Sequence, residues 1–147
     1  MNTAAGLFPR ERWPLARVLI LLLAGGFFNL MIDIRVEHVE IVRERSIAWL
    51  PIIYSGVMAV ACLLAFMFWG KIPRLVMSVL FALAFVVGGM GFYFHNHGSF
   101  IKVIETSVRA WTDPNMEHSD APPQLAPLAF AGLGAIGILA SLKRFNS

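Results

Sequence analysis

The residues of this chain best suited to chemistry are four histidines and a row of acids. The histidines are His38, His95, His97 and His118. The acids are Asp33, Glu37, Glu40 and Glu44, which stand at i, i+4, i+7 and i+11. Imidazole and carboxylate together suit zinc, iron or copper, and a pair of imidazoles suits the two axial positions of a haem. His38, His95, His97, Glu37 and Asp33 form the candidate metal set. The spacing argues for restraint. No His-x-x-Glu-His or Glu-x-x-His pattern is present. His95 and His97 are two apart and share a metal only on an extended or turning backbone, which the following Gly98 permits. Glu37 and His38 are adjacent and diverge on a helix. The competing reading makes these histidines polar caps and interfacial residues. Met116-Glu117-His118 is a further copper-binding triplet, of a kind that loops contain by chance.

Read as one helix, residues 33–45 bring the four acids within roughly 60° of each other. Residues 34–45 hold no glycine or proline, so the helix is expected to continue through them. Arg35, His38 and Arg45 fall on nearly the opposite face and Arg43 nearer the acids. A stripe of like charge repels itself unless something offsets it. Glu37, Glu40 and Glu44 are therefore candidates for docking a basic partner, against the plainer reading of a solvated helix extension.

What must position these groups is a membrane domain. Four apolar runs, residues 18–32, 46–70, 75–94 and 121–142, fill most of the 147 residues. A hydrocarbon core of about 30 Å takes about 20 helical residues. Charged residues make up 14% of the chain against roughly 25% in soluble domains. The expected fold is an all-α integral membrane protein, a bundle of four transmembrane helices over residues 15–34, 47–69, 75–96 and 123–142, in one domain. The net charge of +3 does not point to nucleic acid, because the basic residues gather at helix ends. The first run is read as an uncleaved anchor. Only residues 18–23 precede the small residues Ala24-Gly25-Gly26, short of the 7–15 that a signal peptide's apolar region needs.

Lysine and arginine set the orientation. Arg10, Arg12 and Arg17 precede the first run, Lys71 and Arg74 join the second to the third, and Lys143 and Arg144 follow the fourth. The other two loops are rich in acids. Both termini are therefore expected on the cytoplasmic side of the cell's inner membrane. Trp13, Trp49, Trp69 and Trp111 fall near run ends or in loops, where interfacial aromatics belong.

The first run is short. Fifteen uncharged residues separate Arg17 from Asp33, a helix of roughly 22 Å. Either Arg17 reaches back to the interface or Asp33 lies inside the outer boundary. Depth counted from the inner arginines makes the histidines converge. His95 is 21 residues beyond Arg74, and His38 is 21 beyond Arg17. Runs one and three both travel outward, so His38, His95 and Glu37 are expected on one level at the outer interface.

Several local features complete the reading. Pro51 lies in the first turns of the second run, where a proline is tolerated. Gly70 and Pro73 bracket a tight turn. Ala84 and Gly88, Ala131 and Ala135, and Gly137 and Ser141 are small residues four apart, a spacing that lets helices approach closely, within the bundle or between copies. In the outer segment 98–120, Phe100, Val103, Ile104, Val108 and Trp111 recur at helical spacing, which predicts an amphipathic helix on the outer surface, capped by Ser99 and stopped at Asp113-Pro114. The lone Cys62 is expected to be packing.

No phosphate loop or nucleophile elbow is present, and no charged residue lies mid-span. The expected function is a non-catalytic accessory or scaffold subunit of a larger membrane complex, respiratory or photosynthetic, with the lipid bilayer and other membrane subunits as partners and no cofactor. The alternative is a redox, metal- or haem-binding membrane protein using the outer histidines and carboxylates. A third reading is a small oligomeric transporter.

Overall fold

The computed structural model describes residues 15–96, 99–112 and 125–142, and every regular element among them is helical. The order is α1 (Leu15–Glu37), α2 (Ile41–Glu44), a 3₁₀ turn (Ser46–Ala48), α3 (Trp49–Met67), α4 (Lys71–Asn96), α5 (Phe100–Thr112) and α6 (Leu128–Ser141). Three stretches, Leu15–Glu37, Ser46–Met67 and Lys71–Asn96, are long and apolar enough to cross a membrane. Only 22–33% of each is buried inside the chain, and side chains such as Leu22, Phe28, Val57 and Val79 stand outward. Apolar surface on that scale is stable in lipid and not in water. The chain is a membrane protein.

α1 lies along α3, α4 lies along α6, and the contacts of α1 with α6 and of α3 with α4 close a ring. α1 and α4 thus face each other diagonally. Each of the four helices contributes one aromatic ring to the centre: Phe27, Tyr54, Phe81 and Phe130. Phe27 stacks on Phe81 at 6.2 Å and meets Tyr54 edge-on at 6.1 Å, and Tyr54 and Phe130 lie 5.9 Å apart. Tyr54 also donates its hydroxyl to the Leu80 carbonyl at 2.7 Å, tying α3 to α4.

The closest approach is between α4 and α6. A Cβ on Gly134 would stand 2.8 Å from the Phe81 carbonyl oxygen, and one on Gly137 would enter the Phe81 ring. Of the predicted small-residue pairs, Ala84 with Gly88 and Gly137 with Ser141 are buried in the chain, whereas Ala135 is exposed. Cys62 is fully buried among apolar side chains.

Three serine hydroxyls in the helices are satisfied locally, as a span requires. Ser55 donates to the Pro51 carbonyl at 2.8 Å, Ser78 to Arg74 at 3.0 Å and Ser141 to Gly137 at 2.9 Å.

Three expectations are corrected. First, the helix does not run straight through residues 34–45. α1 ends at Glu37, residues 38–40 turn, and α2 follows. The bend folds Val42 into a small apolar cluster with Ala48 and Ile52, against Met31 and Ile34. A straight helix would carry Val42 away from that cluster. The acids Glu37, Glu40 and Glu44 are exposed, but before, within and after a turn rather than along one stripe. Second, α4 begins at Lys71, before Pro73, which sits in its first turn, where a missing N–H costs nothing. Third, α6 has 14 residues rather than the 20 of 123–142, about 21 Å of helix. Its fourth crossing of the membrane is a proposal taken up below.

α5 is an amphipathic helix. Ser99 caps it, its Oγ accepting from the Lys102 N–H at 3.4 Å. It ends at Thr112; Asp113 and Pro114 lie outside the described residues. Val103 is buried, whereas Phe100, Ile101, Ile104 and Val108 are exposed. On the other side, Arg109 donates to Glu105 at 2.8 Å.

Candidate functional site

Two ends of the helix ring can be distinguished by what gathers there. At one end, Arg17 turns across to the end of α3. Its Nε donates to the Phe66 carbonyl at 2.7 Å, and its guanidinium lies over the Phe66 ring at 5.0 Å. The last carbonyls of a helix have no partner within it, and a cation there also meets the negative end of the helix dipole. Arg17 is thus held at a helix end.

At the opposite end the ring is open. Pro127, just before α6, sits against Gly88 and Gly91: a Cβ on Gly91 would lie 3.0 Å from the Pro127 side chain. Gly91 is one turn short of His95 on α4. α6 therefore begins below the level of the histidines, and a cleft of about 210 Å³ remains there between the neighbouring helices. Leu30, Val87 and Phe130 are among its apolar lining. Asp33, His38 and His95 supply its ionisable groups.

His38 and His95 approach across this cleft. Their ring centroids are 5.6 Å apart, with the planes tilted by 42°. The level counted from Arg17 and Arg74 in the sequence is thus one on which the two rings do meet. They belong to the ends of diagonal helices, which come together here because α6 does not reach between them. Both are half-buried. His38 lies with Nδ1 3.1 Å from the Ile34 carbonyl oxygen. A carbonyl only accepts, so Nδ1 carries the proton, and Nε2 is the nitrogen left for other partners.

The remaining predicted residues fall differently. Asp33 lines the cleft while staying exposed, whereas Glu37 is exposed on the last turn of α1 and is not part of the lining. His97 and the Met116-Glu117-His118 triplet lie outside the described residues. Among the described residues, no three His, Cys, Asp or Glu side chains converge closely enough to hold a metal by themselves. Two features escaped sequence reasoning. Asn96 is buried and donates to the Phe92 carbonyl at 3.0 Å, closing the end of α4 beside His95. Arg35 lies 5.8 Å from the Trp49 ring, a cation–π contact linking α1 to the start of α3. Compared with known proteins, the chain matches no protein-family model, no curated protein and no solved structure.

Proposed function

We propose that this chain is a four-span protein of the inner cell membrane, both termini cytoplasmic, that serves as a non-catalytic accessory or scaffold subunit of a larger membrane assembly. One observation carries the reading: the hydroxyl groups of the helices are spent on the chain's own carbonyls, while the carboxylates collect at the histidine end. Tyr54, Ser55, Ser78 and Ser141 all bond backbone within the bundle. Asp33, Glu37, Glu40, Arg43 and Glu44 are exposed beyond it. A subunit that docks through its outer rim needs this division; a proton-coupled carrier needs ionisable groups along its path.

α6 supplies the fourth span in this reading. It packs antiparallel to α4, with Pro127 against Gly91 and Gly137 against Phe81. Lys71 and Arg74 share the cytoplasmic end with Arg17 under the positive-inside rule. α5 lies on the outer surface, with Phe100, Ile101, Ile104 and Val108 in the lipid boundary and Lys102, Glu105 and Arg109 toward water.

The test is co-purification from native membranes in mild detergent. Glu37→Gln, Glu40→Gln and Glu44→Gln together release a partner while the helices stay folded. The same partner leaves as salt rises, since exposed charges are screened over about 10 Å at 0.1 M. A triple variant that keeps everything the parent binds rejects docking through these acids.

The second reading, a metal-binding membrane protein, is favoured by the His38–His95 approach. The transporter reading gains no comparable support, since a path through one chain meets the packed layer of Phe27, Tyr54, Phe81 and Phe130.

A further inference from the structure

We propose that the cleft at the histidine end binds one divalent transition-metal ion between the imidazoles of His38 and His95, with water completing its coordination and Asp33 balancing its charge from the cleft wall. The site does not depend on the subunit reading above.

The distance between the rings carries the argument. With metal–nitrogen bonds of about 2.1 Å, two imidazoles on a tetrahedral ion place their ring centroids about 5 Å apart. The observed separation is 5.6 Å. The two values differ by a few tenths of an ångström, within the reach of side-chain motion.

The protonation pattern agrees. His38 gives its Nδ1 proton to the Ile34 carbonyl, so Nε2 is the coordinating nitrogen. A backbone carbonyl on the far nitrogen of a ligating histidine is the usual arrangement that holds ring and tautomer in place. The Ile34 carbonyl belongs to the last turns of α1, so the ring is referenced to a helix rather than to a loop.

The surroundings narrow the ligand. The cleft is mostly apolar, and a charge there needs partners of its own. Asp33 lines the same cleft and offsets the charge of a divalent ion through water. At about 210 Å³ the cleft is smaller than the roughly 300–1,000 Å³ of small-molecule sites, and it has no room for a haem. Two imidazoles select zinc, cobalt, nickel or copper over magnesium and calcium, which prefer oxygen alone. Because no three ligands converge among the described residues, water occupies the remaining positions, and the ion is exchangeable rather than locked in.

The experiment uses the full chain in detergent, stripped with a chelator and titrated with cobalt(II) by visible absorption and with zinc(II) by calorimetry. The expected result is one ion per chain, zinc displacing cobalt. His38→Ala and His95→Ala each weaken binding at least tenfold, and the double variant loses it. Asp33→Asn weakens it less, and His118→Ala leaves it unchanged. Should an alanine variant fail to fold, the parent protein still decides the matter: zinc must shift the ring resonances of two histidines, assigned to His38 and His95. Binding that survives the double substitution overturns the proposal. So does the absence of saturable binding below about 1 mM, a shift confined to His97 or His118, or a haem absorption band in the purified protein.

Discussion

The Arg17 guanidinium donates to the Phe66 carbonyl oxygen at 2.7 Å, and this contact sets the level of α1 against the end of α3. The residues are far apart in the chain, yet the bond ties the start of one apolar helix to the end of the next. It also fixes the level from which His38 is reached along α1.

Removing this tie should destabilise the pairing of α1 with α3. A hydrogen bond to a charged group is worth about 1.5–3 kcal/mol. Arg17→Ala is expected to lower thermal stability in detergent by an amount in that range. Arg17→Lys recovers only part of it, because an ammonium cannot copy the planar donor fork or its stacking on Phe66. Equal melting of Arg17→Ala and the parent would show that the contact is incidental.

The α4–α6 seam makes a sharper forecast. Gly134→Ala places its methyl 2.8 Å from the Phe81 carbonyl oxygen and 2.9 Å from the Ala84 Cβ. Overpacking of this kind costs about 1–3 kcal/mol. Gly132→Ala, one helix face away, meets nothing within 4 Å and should be neutral or gain about 0.5–1 kcal/mol from helix propensity. Melting curves of the two variants side by side test the seam, and the same ranking should appear for Gly137→Ala against Gly89→Ala. If Gly134→Ala and Gly132→Ala melt alike, α6 does not sit on α4 as described.

Topology is checked by thiol labelling. Cys62 is buried and should react poorly with a membrane-impermeant reagent. In a Cys62→Ala background, a cysteine replacing Asn115 should label from outside intact cells and one replacing Asn146 should not. Labelling at both positions would remove α6 as a span, and the reversed pattern would turn the protein over.

The membrane character was legible in the sequence because hydropathy is a local property. Each apolar run had to become a helix, since in lipid every backbone group must find its partner within the segment or a closed sheet. Two helix starts were legible too, through Pro51 and Ser99, whereas those of α4 and α6 were not. The level that His38 and His95 share was legible for the same reason, because a helix rises about 1.5 Å per residue whatever surrounds it.

Lateral position was not legible. Only the packed ring of helices decided that α1 and α4 are diagonal and that His38 and His95 still come within 5.6 Å. The decisive contact is Pro127 against Gly88 and Gly91, which starts α6 below the histidines and opens the cleft. The break at residues 38–40 was equally out of reach. Nothing in the backbone preferences of residues 34–45 ends a helix; the burial of Val42 against Ala48 and Ile52 does. The sequence alone thus determined most of the helical segments and the shared level of His38 and His95 along them, because both follow from a residue's near neighbours in the chain. Which side chains meet was decided by the tertiary structure, because packing between helices depends on small residues and ring shapes distant in the chain.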